Sequence, residues 1–303
     1  MQYTAHAEFV APARTRPALW RLLVGLVLVA FVYGAGIGAI FGLLIAVSGL
    51  EGANAWLVRM AEADTPTATL LVLATFIGMA LGPMLAARLL HGRPMASLFG
   101  PRAALLRHFA IAAVICALLN GLTALIPSGI SPAQNLDMAL WASFLPLALV
   151  AILVQTGAEE LLFRGYIQSQ LAARFASPLM WMILPSAVFA VLHFQPGTMG
   201  ENAWIVVGAV FLFGLCAADL TARTGTIGAA WGFHFANNAV AILLLALDGP
   251  LSGLALYTVP METIPAADLR PMLLSGMVVT AVIWLAIRLA VRPRSAPSTR
   301  DQG

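Results

Sequence analysis

The sequence predicts an all-α, polytopic membrane protein with about eight transmembrane helices, and three observations predict it. Of 303 residues, 61% are hydrophobic and only 10% are charged, and the mean hydropathy is +0.91. The apolar residues come in long runs, and about 20 residues of helix are needed to cross roughly 30 Å of hydrocarbon. All 16 cationic residues are arginine, and most sit at the ends of those runs. Such a composition leaves nothing for a separate soluble domain, so residues 1–303 read as a single integral membrane domain. The net charge of +3 and the pI of about 9.3 therefore reflect membrane topology, and no nucleic acid is expected as a partner.

The elements follow in order from runs and breakers. After a polar, arginine-bearing start, the run over 19–47 is much longer than a signal-peptide core and reads as a retained first helix. A second helix over 68–90 stops at Gly92-Arg93-Pro94, and a third over 104–126 stops at Pro127-Ser128-Gly129. The fourth, 139–172, is long enough to leave the membrane, and Arg164, Gln168, Gln170 and Arg174 put its last turns in cytoplasmic water. A turn at Ser177-Pro178 leads to a fifth helix over 179–194, short for a crossing, which ends at Gln195-Pro196-Gly197. The sixth and seventh helices, 204–222 and 226–247, are separated by Arg223-Thr224-Gly225. A proline-bearing stretch over 248–271 precedes the eighth, 271–291. Gly34, Gly38 and Gly42, with Gly78 and Gly82, read as small-residue packing faces. Cys116 and Cys216 lie inside apolar runs, which argues against a disulfide framework or a thiolate metal site.

Orientation follows from the arginines, which are retained on the cytoplasmic side of short loops. Arg14, Arg16 and Arg21 precede the first helix, and Arg88, Arg93, Arg102 and Arg107 flank the connection from second to third. Arg174 and Arg223 mark two further turns, and Arg288, Arg292, Arg294 and Arg300 mark the C-terminus. The opposite loops hold Arg59 and Arg270 among acids such as Glu51, Glu62, Asp64, Glu201 and Glu262. Both termini are thus expected in the cytoplasm, which requires an even number of spans. His6, His91 and His108 fall at interfaces and are expected to be solvated, while Asp219 reads as a loop acid beside Arg223.

An ionisable group in hydrocarbon costs several kcal/mol unless it is paired or faces a cavity, so polar residues inside spans mark function. They concentrate in helices 4, 5 and 7 as Glu159, Glu160, Arg164, His193, His234, Asn237 and Asn238. Glu160 and Arg164 stand four apart in the favourable order for a helical ion pair, and Glu159 is turned about 100° away from it. If helices 4 and 5 form a hairpin, Glu159 and His193 lie level, each about 25 Å from the turn at 1.5 Å per residue. His234 and Asn238 share a face one turn apart, whereas Asn237 points elsewhere and reads as packing. A free carboxylate, two imidazoles and an amide are the parts for activating a water and holding an oxyanion. The same groups serve equally as structural staples between helices or as the relay of a proton-coupled transporter.

Glu-Glu-x-x-x-Arg at 159–164, Phe-x-x-x-His at 189–193 and His-x-x-x-Asn at 234–238, in that order on successive helices, resemble the three motifs of the CPBP family. These are the CAAX prenyl proteases and bacteriocin-processing enzymes, also called the Abi family. The resemblance covers residues 140–245, roughly a third of the chain, as a motif-bearing catalytic core. It implies an eight-helix intramembrane endopeptidase acting on a membrane-associated peptide or lipid-modified protein, in the plasma membrane of a bacterium. By motif position, Glu159 and His193 would activate water and His234 and Asn238 would stabilise the oxyanion, with Glu160 and Arg164 in support. A divalent metal such as Zn²⁺ on Glu159, His193 and His234 is compatible with the same residues, but no His-Glu-x-x-His is present and the metal-free mechanism is favoured. A non-catalytic bacteriocin self-immunity protein is the remaining alternative.

Overall fold

A computed structural model describes residues 3–123, 125, 132–260, 264 and 266–291. The separator at Pro127 to Gly129, Glu262, and the arginines at Arg292, Arg294 and Arg300 lie outside the described residues. Helix α1 (Thr4–Val10) precedes the first span and buries Ala5, His6, Phe9 and Val10. Helix α2 (Leu19–Glu62) is broken at Gly49, whose φ of 72° lies where only glycine is unstrained. Helix α3 (Pro66–His91) has proline in its first turn and ends on Gly92 in the left-handed region, and α4 (Arg102–Thr123) follows.

Asp137 starts α5 (Met138–Arg174), its carboxylate accepting from the backbone N–H groups of Ala139 and Leu140 at 2.8 and 3.4 Å. Within α5, Leu161–Gln168 is wound as a π-helix. Then come α6 (Leu179–Val191), α7 (Ala203–Thr224), α8 (Gly228–Ala239, prolonged by a π-turn over Val240–Leu244) and α9 (Ala266–Ala290).

Each of the eight expected runs contains a helix, and the chain is an all-α, polytopic membrane protein. The seventh, expected to reach 247, is corrected at its end, where Leu245–Leu247 leaves the helix to form a strand, and residues 124 and 126 of the third lie outside the described residues. Six helices among the described residues are long and apolar enough to cross a bilayer, so the structure does not by itself carry the expectation of eight spans. The two that fall short are α6 and α8. At 1.5 Å per residue they reach only about 20 and 25 Å. A three-stranded sheet that apolar periodicity does not announce joins the loops: β1 (Ala133–Gln134) pairs antiparallel with β3 (Tyr257–Val259), which pairs parallel with β2 (Leu245–Leu247).

Lipid-type packing has no hydrophobic drive between helices, so close approach depends on small residues. A Cβ at Gly82 would lie 2.9 Å from Val29 Cα, and one at Gly36 would lie 3.2 Å from Gly78 Cα, which fixes α2 against α3. Gly34, Gly38 and Gly42, expected at such a contact, meet no atom within 4 Å; Gly36 is the glycine of α2 that faces α3. Helix α4 meets α8 at Gly228 and Gly232, where an added Cβ would fall 2.2 and 2.1 Å from the carbonyl oxygens of Leu105 and Phe109.

Helix α5 is buried at every residue from Gln155 to Leu171 and forms the central post of the bundle. The expectation that its last turns stand in water is therefore corrected as far as Gln170. Arg93 donates to Ser169 Oγ at 2.7 Å, and Gln168 meets His6 Nε2 at 3.5 Å, so the chain around α1 and the α3–α4 connection covers this end. His6, His91 and His108 are accordingly buried rather than solvated. Asp219 lies within α7 and accepts from Tyr3 Oη at 2.8 Å, Trp284 Nε1 at 3.0 Å and Arg288 Nε at 2.9 Å. Its partners are on α9 and just ahead of α1, whereas Arg223 donates to Val291 O.

Candidate active site

Two close contacts bring the motif residues together. A Cβ at Gly157 would fall 2.7 Å from the Trp231 ring, and Trp231 Nε1 donates to Leu153 O at 3.1 Å. Glycine at 157 thus lets α8 lie directly on α5, which carries His234, one turn past Trp231, to the two glutamates. The second contact is Phe189, whose ring stands edge-on to His193 with centroids 4.7 Å apart and to Phe163 at 4.9 Å. The same ring lies under the Arg164 guanidinium at 5.0 Å.

His234 is held from both sides. Its Nδ1 donates to Glu160 Oε1 at 2.8 Å, and its Nε2 lies 3.4 Å from Glu159 Oε2. Glu160 Oε1 also accepts from Arg164 at 2.9 Å, and Arg164 donates onward to Gly214 O at 3.2 Å. Glu160 and Arg164 are fully buried, at 0% and 2% exposure, so this pair is out of reach of water and acts only through the imidazole it orients. Glu159 is turned into the cavity, as its 100° offset requires, and its buried Oε2 has no hydrogen-bond donor among the described residues.

His193 is half-buried just beyond the end of α6, with Nδ1 2.8 Å from Phe189 O. A carbonyl only accepts, so Nδ1 carries the proton and Nε2 is left to accept from a water. Asn238 Nδ2 donates to Gln155 Oε1 at 3.0 Å, and Asn237 Nδ2 donates to Asn238 Oδ1 at 3.5 Å.

Glu159, His193, His234 and Asn238 line one cavity of about 610 Å³, together with Gln155, Gln195 and Asn237. Val72, Leu73, Phe76 and Met79 from α3, with Val210 and Phe213 from α7, make its apolar wall. Sequence reasoning missed three of these polar groups, among them Gln195, read only as part of a helix stop. Gln155 stands four residues before Glu159 on the same face, a signal that was legible, and Asn237, assigned to packing, reaches the cavity. Among the described residues no three His, Cys, Asp or Glu side chains form a group that could hold a metal ion. The nitrogens facing Phe189 O and Glu160 are already committed, which leaves one free nitrogen on each imidazole.

With this geometry in view, the comparison with known proteins is specific. A type II CAAX prenyl endopeptidase Rce1-like domain is matched over residues 140–240. That Rce1-like segment runs from α5 to the end of α8 and contains all seven motif residues. Beyond it, the chain is 26% identical over 253 residues to the uncharacterized protein YyaK of Bacillus subtilis (strain 168), covering 81% of this chain and 84% of that protein. No solved structure matches the chain. The Rce1-like match and the buried glutamate–histidine pairs together support a hydrolase.

Proposed function

We propose that the protein is an intramembrane endopeptidase that cleaves a peptide bond in a membrane-associated or lipid-modified chain. The observation that carries this reading is the opening of Glu159, His193, His234 and Asn238 into one cavity, with Glu159 3.4 Å from His234. Residues 140–245 are its catalytic core within a single membrane domain. In this reading α6 and α8 also cross the bilayer, and the arginine distribution supports cytoplasmic termini in a bacterial plasma membrane.

Water held between Glu159 and His193 Nε2 loses a proton to the Glu159 carboxylate as its oxygen attacks the scissile carbonyl carbon. The developing oxyanion takes hydrogen bonds from Asn238 Nδ2 and from His234 Nε2. Since Glu160 already accepts from Nδ1, a donor at Nε2 means an imidazolium. Its charge and that of Arg164 then balance the two carboxylates. When the tetrahedral adduct collapses, the C–N bond breaks and the proton on Glu159 passes to the leaving amine. The products are a carboxylic acid and an amine, the acid's proton passing to the amine to give carboxylate and ammonium, and the enzyme regains its starting state. No step passes through a metal.

The test is cleavage of prenylated and unprenylated membrane-anchored peptides by protein purified in detergent, with and without chelator. Glu159→Gln and His193→Ala are expected to lose about 100- to 10,000-fold in kcat. Wild-type turnover in Glu159→Gln would remove the proposed base. Activity lost with chelator and restored by Zn²⁺ would replace the metal-free mechanism.

A further inference from the structure

The proposed oxyanion donor depends on which way the Asn238 carboxamide faces, because its oxygen and nitrogen occupy nearly the same shape. Turned one way it offers an N–H to the substrate, and turned the other it presents a carbonyl that repels the oxyanion. Two neighbours contact it. Gln155 Oε1 takes one Nδ2 proton at 3.0 Å, and Asn237 Nδ2 approaches Oδ1 at 3.5 Å. The second Nδ2 proton is left for the cavity that Asn238 lines. Of the two neighbours Gln155 makes the shorter bond. It is also the more constrained, only 6% exposed on the post helix α5 and one turn from Glu159.

We infer that Gln155 is a positioning residue that fixes the Asn238 carboxamide with its N–H toward the substrate carbonyl. The inference rests on the peptidase reading above. Gln155 sits on the same helix face as Glu159, so one turn of α5 sets both the base and, through Asn238, the oxyanion donor. The packing of α8 on α5 brings the carboxamide to the cavity, and its orientation is then set from the helix that carries the base. That matters because a misplacement of about 1 Å can cost about 100-fold in rate.

The experiment is a double-mutant cycle on purified protein with the same peptides. Gln155→Met keeps length and volume but cannot accept, and is expected to lower kcat about 10- to 100-fold with KM within about 3-fold. Gln155→Glu keeps an acceptor at the same place and is expected to retain kcat within about 10-fold of wild type. In an Asn238→Ala background Gln155→Met is expected to have no further effect, because it acts only through that carboxamide. Where Asn238→Ala turns over too slowly to measure, the split between kcat and directly measured peptide binding decides. Equal losses in both backgrounds, a loss confined to KM, or an unaffected Gln155→Met would overturn the positioning role. Failure of the underlying peptidase reading looks different: wild-type protein cleaves nothing, or Asn238→Ala is as fast as wild type.

Discussion

A single methyl group at position 232 tests whether the approach of α8 to α4 sets the site. A Cβ there would lie 2.1 Å from Phe109 O and 2.9 Å from both its carbonyl carbon and its Cα. Ordinary carbon–oxygen contacts are about 3.3 Å or more, so Gly232→Ala requires the two backbones to separate by roughly 1 Å. Such overpacking costs about 1–3 kcal/mol. The strain also reaches the chemistry, because His234 is two residues further along, bonded to Glu160 at 2.8 Å and 3.4 Å from Glu159. A shift of about 1 Å at that imidazole predicts a loss of about 100-fold in turnover. Thermal unfolding in detergent and peptide cleavage measure the two effects separately. Gly38→Ala is the control, since a Cβ there meets nothing within 4 Å, and it is expected to leave both unchanged. Wild-type melting and turnover in Gly232→Ala would refute the claim that this contact holds the helix in place.

Three further outcomes follow from buried polar groups. Arg164→Met leaves the buried Glu160 carboxylate, which is 0% exposed, with His234 Nδ1 as its remaining partner and is expected to destabilise by about 1.5–3 kcal/mol in denaturant titration; the double variant with Glu160→Gln should recover part of that loss. Burial, aided by the Arg14 guanidinium, lowers the His6 pKa from 6.5 to about 4, so the unfolded state binds the proton first. Docking of α1 is therefore fully stable above about pH 6.5 and weakens as pH falls toward 4, which hydrogen exchange over residues 4–10 would report and which His6→Leu should abolish. Asp219→Asn leaves the Arg288 guanidinium without that carboxylate and weakens its bond to Tyr3, and should make the N-terminal segment more sensitive to limited proteolysis by about 1–3 kcal/mol of local stability.

Apolar runs and their breakers were enough to locate a helix in each of the eight expected segments, since a span must be largely apolar and a proline or glycine cluster ends it, but not to see that the seventh run gives way to a strand at Leu245. The motif residues were legible because ionisable groups in such runs are too costly to be incidental, and the offset between Glu159 and Glu160 correctly separates a cavity-facing acid from a buried one. What was not legible depends on rotation of helices about their axes. The spacing of Gly34, Gly38 and Gly42 is the same whether that face meets a helix or lipid, and only tertiary packing turns Gly36 inward. Gln155 passed unremarked because it carries no charge, although its four-residue spacing from Glu159 was there to read, and Asn237 was noted but assigned to packing because only the rotation of α8 turns it to the cavity. The solvated reading of His6 and Gln170 failed because amphipathic chain outside the membrane folds back over the end of α5, a contact that local pattern does not encode.

The two helices shorter than the six long apolar ones, α6 and α8, are the two that deliver the histidines, and the shortness has a consequence for water. Helix α6 stops at Val191, and the chain tightens into i to i−3 bonds at His193 and Phe194, donating to Ala190 O and Val191 O at 3.0 and 3.1 Å. The backbone donors are thereby satisfied without continuing the helix, which is the condition for irregular chain at membrane depth. Past the helix end Gln195 O accepts from Met199 N at 3.0 Å, whereas among the described residues the carbonyls of Leu192, His193 and Phe194 have no protein donor and need water; Leu192, His193 and Gln195 line the cavity where water would be found. A full-length α6 would satisfy those carbonyls internally and fill the space beside His193. In the proposed peptidase, helix length thus decides whether the His193 imidazole meets water or only other side chains.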